Sequence, residues 1–232
     1  MLGRVSMRGV LASLACLLCA APAWAADVAH PAVVELFQSQ GCSSCPPANA
    51  HVMALIGRPD VLALSWQVTY WDYLGWHDSF DDPAYTARQR DYAAGLGHDE
   101  VFTPQVVVNG RADTVGTQDG EIEALLQRAD RGNGGPSVAV SGNRVSIGQG
   151  EGRAEVVLVR YDPRIIQVAV LRGENGGLTL PHRNVVRQLR VLGRWTGQPA
   201  TFQLPAPTHQ GLKVAVLVQS GVGGPILAAG TD

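Results

Sequence analysis

Two cysteines separated by two serines, Cys42-Ser43-Ser44-Cys45, carry the side chains of this sequence best suited to chemistry. A C-x-x-C pair can close a disulfide, exchange that disulfide with another thiol, or grip a soft metal. The pair follows an apolar run from Pro31 to Phe37. It opens a segment, Ser43 to Gly57, in which Ala48, Val52, Leu55 and Ile56 recur at helical spacing. A helix start presents unpaired N–H groups and partial positive charge, which stabilise a thiolate placed there. The first cysteine of such a pair is expected to be the more exposed, so Cys42 is the expected attacking sulfur. Cys45, one turn further in, is the expected resolving sulfur. Pro46 and Pro47 suit a first helical turn, where amide hydrogens are not needed. A bridge over so short a loop removes little entropy from the unfolded chain, so its value as a staple is small.

The elements that must position this pair divide near residue 135. Residues 26–131 carry mixed signals. After the strand and helix just described come a strand at Val61 to Val68 and a helix between Asp82-Pro83 and Gly97. A strand at Phe102 to Val108 ends in the turn Asn109-Gly110, and Thr114-Val115 extends or adds a strand. A last helix, capped by Thr117, sets Ile122, Leu125, Leu126 and Ala129 on one side. Residues 132–136 read as a linker. Beyond it the helical period disappears. Ser137–Ser141 and Arg144–Ile147 flank Gly142-Asn143 as a hairpin. Arg153–Tyr161, Ile165–Leu171, Val185–Trp195 and Leu212–Gln219 are further β-rich runs. The expected architecture is an α/β domain at 26–131 followed by an all-β sandwich-like domain at 137–232.

Thr103-Pro104 supplies a second motif, because a proline at the start of a strand donates no ladder bond. With the C-x-x-C ahead of it between strand and helix, the first domain resembles the thioredoxin superfamily. That resemblance implies a thioredoxin-like fold, with Pro104 as a cis-proline beside the cysteines and Thr103 as its partner at the substrate edge. It also implies that Glu35, in the preceding strand, moves protons to or from Cys45. Strand alternation equally allows Glu35 to face water. The run Val34–Ala48 resembles the opening of the secreted domain-of-unknown-function 1223 family. Trp71–Trp76, Arg88-Gln89 with Tyr92, Thr103–Gly110, Gly173–Gly176 and Asn184–Arg187 are similar to its later segments. The likeness spans the chain beyond the leader and carries no activity with it.

Arg4 and Arg8, the apolar run Val10 to Ala21, and Ala23-Trp24-Ala25 read together as a cleavable signal peptide over residues 1–25. Its apolar run falls short of the roughly 20 residues needed to span a bilayer, so no stable membrane insertion is expected after cleavage. Export to the periplasm or the medium places Cys42 and Cys45 in an oxidising space, without Cys16 and Cys19. The formal charge of −2 argues against a broad basic surface for nucleic acid.

The expected function is thiol–disulfide exchange with exported protein thiols or disulfides, or with small thiols, together with an unidentified redox partner. Cys42, Cys45, Thr103, Pro104 and Glu35 form the site, and neither cofactor nor metal is expected. The alternative is a non-enzymatic binding module that keeps a structural Cys42–Cys45 disulfide. A metal site of Cys42, Cys45 and His51, helped by His77 or His98, lacks a second C-x-x-C or a close H-x-x-H to complete it. The aromatic residues between Trp66 and Tyr92 read as core packing first and as a lid or peptide groove second, with Asp72 and His77 as possible polar members. Gly173-Glu174-Asn175-Gly176-Gly177 reads as a turn without phosphate-binding character. His30, His182 and His209 read as surface or turn residues.

Overall fold

The computed structural model of the protein describes residues 26–232, so the expected signal peptide at residues 1–25 lies outside the described residues. The first half builds β1 (Ala32–Gln38), α1 (Cys45–Leu55), β2 (Val61–Gln67), α2 (Pro83–Leu96), β3 (Gln105–Val108), β4 (Ala112–Thr114) and α3 (Glu121–Arg128). A single 3₁₀ turn spans Asp72–Leu74. Local chemistry explains the helix ends. The Asp82 side chain accepts from the Ala84 N–H at 2.8 Å, Pro83 follows it, and Gly97 stops α2 in the left-handed region. Thr117 does not cap α3. Gly120, at φ +79°, turns the chain into Glu121 instead.

The second half supplies β5 (Val138–Ser141), β6 (Arg144–Ile147), β7 (Ala154–Asp162), β8 (Ile166–Ala169), β9 (Thr179–His182), β10 (Val185–Trp195), β11 (Ala200–Gln203), β12 (Lys213–Gln219) and β13 (Ile226–Thr231). Three of these, β9, β11 and β13, carry weak strand signals. Pro181 interrupts the first, and Ala-Ala-Gly fills the last.

The expectation of an α/β thioredoxin-like fold followed by an all-β sandwich is corrected by the way these strands pair. An eight-stranded mixed sheet runs in the order β13-β12-β7-β10-β2-β1-β3-β4, through both halves of the chain. Strand makes up 36% of the residues and helix 17%. The junction lies at β2, whose free edge is taken by β10. Val185 pairs in parallel with Ser65, whose N–H donates to the Asn184 carbonyl at 3.0 Å. The Asn184 amide donates to the Ala63 carbonyl at 2.8 Å. An unpaired edge is a liability that folding covers, but periodicity does not say which strand will cover it. The loss of helical period after residue 131 was therefore visible, and the continuity of the sheet was not. Sandwich-like packing does occur in the second half. The sheet β11-β6-β5 lays Val145 and Ile147 against Val156, Leu158, Val216 and Trp195.

Alternation along β1 sends its side chains to two different cores. Val34 and Leu36 pack with Ala48, Val52 and Leu55 of α1 and with Ile122 and Leu125 of α3. Val33 and Phe37 pack on the opposite face with Trp66, Tyr85 and Tyr92. Glu35 lies between these last two and shares their face. It accepts from Arg88 Nε at 2.8 Å and Nη2 at 2.9 Å, and from the Tyr92 hydroxyl. Gln219 of β12 closes the cluster, accepting from Arg88 Nη1 at 3.0 Å and donating to the Tyr92 hydroxyl at 3.1 Å. Burial would depress the Arg88 guanidinium, and the Glu35 charge overrides it and holds it above its usual value. Burial, with Glu35 alongside, lifts the Tyr92 phenol well above its usual value. At the same junction Gly223, at φ +65°, lets the β12–β13 turn meet the Asp91 carbonyl of α2, where a Cβ would collide.

Arg88→Met leaves Glu35 as an uncompensated buried charge and is expected to cost about 3–5 kcal/mol in urea unfolding. Glu35→Met with Arg88→Met should recover most of that loss. A single Arg88→Met change worth less than about 1 kcal/mol would contradict this role.

Candidate functional site

Cys42 sits in the turn after β1, and Cys45 is the first residue of α1. The two form a disulfide with their Cα atoms 5.5 Å apart. The expected exposure of Cys42 is not found: Cys42 is 0% and Cys45 1% exposed, while Ser43 and Ser44 take the surface. Three segments produce this cover.

The first is Thr103-Pro104. Its peptide bond is cis, and Pro104 is buried at the entrance to β3. The Thr103 hydroxyl donates to Cys42 Sγ at 3.4 Å and accepts from Trp71 Nε1 at 2.7 Å. Ser44 Oγ reaches the Thr103 carbonyl at 3.5 Å and Cys42 Sγ at 3.3 Å. Helix α2 holds the segment from behind, with Gln89 Nε2 donating to the Phe102 carbonyl at 2.7 Å and to Gln105 Oε1 at 3.0 Å.

The second segment is the turn at residues 173–177, from the other half of the chain. Asn175 is buried, and its amide donates to the carbonyls of Gln40 at 2.9 Å and Cys42 at 2.8 Å. Glu174 accepts from the Ser43 N–H at 3.0 Å and the Ser43 hydroxyl at 2.7 Å. These two bonds, the backbone one foremost, hold the Glu174 carboxyl below its usual range.

The third is the stretch from Trp71 to Phe80. Trp76 Nε1 donates to Gln40 Oε1 at 2.9 Å, and Asp78 accepts from the Gln40 N–H at 2.7 Å and the Phe80 N–H at 3.0 Å. The aromatic stretch thus divides. Trp66, Tyr85 and Tyr92 are core, the indole N–H of Trp71 holds Thr103 and that of Trp76 holds Gln40 in the cysteine turn, and Tyr73 stands 79% exposed.

The sequence-derived set separates accordingly. Cys42, Cys45, Thr103 and Pro104 come together. Glu35 does not join them, because it occupies the face of β1 opposite α1 and is bound to Arg88 and Tyr92. Asp72 and His77 pair with one another at 2.5 Å, away from the sulfurs. That bond, with Asp81 nearby, raises the His77 imidazole. Ligand atoms of Asp72, His77 and Asp81 lie within 4.8 Å of each other, but the imidazole bridges the two acids, and we assign the trio no ion. His51 is held by the Gly116 carbonyl at 2.9 Å and Asp119 at 3.2 Å, and His98 by Asp113 at 2.9 Å. Neither is turned toward the cysteines as a third ligand.

Sequence reasoning missed Glu174, Asn175 and His182. The sequence reads the first two as a turn, although the same Gly-Glu-Asn-Gly run is among the segments carrying the family resemblance. His182 is 1% exposed rather than on the surface, and it lines a small cavity with Cys45.

These features describe a β-rich protein in which a helix-start disulfide lies beside a cis-proline and under a turn donated by the distant half of the chain. The chain belongs to the family described as "Protein of unknown function (DUF1223)", which it matches over residues 33–219. It is 36% identical to a protein of Agrobacterium tumefaciens of known crystal structure, with a TM-score of 0.72 over 86% of this chain and 92% of that one. HBP35 of Porphyromonas gingivalis is 13% identical, with a TM-score of 0.57 over 88% of this chain and 74% of that one, a likeness of fold alone. No curated protein matches the chain.

Asp78 gives the site a measurable pH dependence. Burial pushes its carboxyl up to about 6, against the pull of the Gln40 and Phe80 N–H groups. The folded state therefore binds the proton more tightly than the unfolded state, and this group's contribution to stability falls as pH rises from about 4 to about 6. The size is roughly 3 kcal/mol across that window. Asp78→Asn should flatten that part of the urea-stability profile while losing one of the two N–H bonds, because an amide offers one acceptor oxygen where the carboxyl offers two. An unchanged slope would contradict the assignment.

Proposed function

We propose that the protein is an exported thiol–disulfide oxidoreductase that exchanges its Cys42–Cys45 disulfide with the thiols of exported proteins or small molecules. The observation that carries this reading is the Thr103 hydroxyl donating to Cys42 Sγ in the turn that leads into α1. A donor aimed at that sulfur stabilises it as a thiolate, and so do the unpaired N–H groups of the helix start. In the reducing direction the Cys42 thiolate attacks one sulfur of a substrate disulfide. The substrate S–S bond breaks, and its other sulfur leaves with the electron pair and takes a proton. Cys45, deprotonated, then attacks Cys42 Sγ. The Cys42–Cys45 bond forms as the mixed disulfide breaks, and the substrate leaves as a dithiol. Oxidation of a substrate dithiol is the same sequence reversed. The likeness to the thioredoxin superfamily is kept only for these local residues and not for the fold. Export rests on the leader-like residues 1–25.

Exchange needs access to Cys42, and the turn at residues 173–177 stands in the way. Its Glu174 end is fixed by bonds at the exposed surface, which give way more readily than buried ones. The burial of both sulfurs favours a second reading, in which the bridge is structural and the protein is a binding module.

The reduction potential separates the two. Equilibration in glutathione buffers, followed by alkylation and weighing, should give a value between roughly −120 and −270 mV. A pair that stays oxidised below about −300 mV would make the bridge structural and overturn the proposal.

A further inference from the structure

Cys45 needs a group to take its proton before it can attack Cys42, and Glu35, on the far face of β1, is not placed to serve. Behind Cys45 lies a cavity of about 60 Å³, lined by Gln38, Ser39, Pro46, Asn49, Leu180 and His182 among others. That is ample for a water, which needs on the order of 10–15 Å³. His182 ends β9, and both of its ring nitrogens are buried without a hydrogen-bond partner. A buried polar group without a partner is costly and calls for an explanation.

The imidazole is held in place by apolar contact and by its strand. Its ring meets Phe80 edge to face at 6.0 Å, and Arg187 covers Phe80 at 4.9 Å. Asn49 of α1 donates to the Pro181 carbonyl at 2.8 Å, which locks β9 against the helix that carries Cys45. We infer that His182 is the proton-transfer group for Cys45, exchanging its proton directly or through a water in the shared cavity.

This rests on the proposed exchange chemistry. One nitrogen of the neutral ring takes the Cys45 proton as that sulfur attacks Cys42, and the imidazolium so formed pairs with the thiolate in transit. The imidazolium then gives that proton to water, and when the disulfide is opened from outside the neutral ring relays a proton from water in the cavity to the departing Cys45 sulfur. Burial lowers the His182 imidazole to about 4, so the ring is neutral near pH 7 with a lone pair free. Among the cavity's lining residues Cys45 and His182 are the titratable pair. Gln38, Ser39 and Asn49 are neutral, and Ile166 lies opposite His182 in the β8–β9 ribbon. Two ionisable groups stand outside that wall: Asp78, whose carboxyl lies beside Ser39 and accepts from the Phe80 N–H, and Arg187, over the Phe80 ring that packs on His182.

The test reads Cys45 without requiring turnover. The ultraviolet thiolate absorbance of the Cys42→Ser protein, less that of Cys42→Ser/Cys45→Ser, isolates the ionisation of Cys45. Adding His182→Phe to both should move that ionisation up by about one pH unit or more, a tenfold weaker acid. In protein with both cysteines, His182→Phe should slow decay of the Cys42 mixed disulfide with glutathione about a hundredfold at pH 7. That loss should shrink as pH rises, and the rate at which Cys42 first attacks should not change. An unshifted Cys45 ionisation, or a loss equal at every pH, overturns the inference. Should His182→Phe fail to fold, NMR titration of the unaltered protein decides. The His182 ring-nitrogen shifts must change on reduction and follow the ionisation of Cys45, and their indifference to it would overturn the inference. Failure of the whole exchange reading would appear separately, as a reduction potential below about −300 mV.

Discussion

The buried ion pair between Glu35 and Arg88 is the constraint around which the structure is arranged. A guanidinium taken out of water must meet a carboxylate and have its other N–H groups satisfied, or the fold loses several kcal/mol. Arg88 meets both demands with groups from three places: Glu35 from β1, Tyr92 from its own helix and Gln219 from β12. Its guanidinium also lies 5.2 Å from the Trp66 ring and 5.0 Å from the Tyr92 ring. The pair therefore fixes α2 against the sheet and ties the last third of the chain to its first strand. Gln89, the next residue along, can then hold Phe102 and Gln105 on either side of Thr103-Pro104.

The cysteine site depends on that arrangement from several directions. Its sulfurs come from the end of β1 and the start of α1, its threonine from the approach to β3, and its cover from residues 173–177. Asn175 satisfies the Gln40 carbonyl and gives the Cys42 carbonyl, which also accepts from the Cys45 N–H, a second bond. The same turn keeps solvent from the disulfide. One segment thus completes the backbone hydrogen bonding of the site and controls access to it. A site assembled from both halves of a chain is stable only when the halves share a sheet, and β2 with β10 provides that joint.

The parts of this legible in the sequence were local ones. The C-x-x-C at a helix start, the Asp82-Pro83 cap, the Gly97 stop and the Gly142-Asn143 hairpin each follow from the chemistry of a few neighbouring residues, and the structure has them. Thr103-Pro104 was legible as a motif, though not its contact with Cys42. Pairing across long separations was hidden. Nothing in the spacing of Val185 says that it will sit beside Ser65. Glu35 shows the limit plainly. Alternation divides a strand into two faces without saying which face meets α1, and a strand buried on both sides leaves no polar face to break the tie. His182 reads as a surface residue because histidine is usually at least partly wet, and only the packing of β9 on α1 reveals its burial beside Cys45.

The claim that most needs a direct answer is that Cys42 reacts with outside disulfides while the protein is folded. The Cys45→Ser protein, offered oxidised glutathione at pH 7 under native conditions, isolates that step, because no second sulfur can release what is captured. Mass spectrometry should find one glutathione added at Cys42, and it should arrive faster than on the same chain unfolded in denaturant. A Cys42 that takes up glutathione only after unfolding would contradict the account and leave the bridge as part of the scaffold.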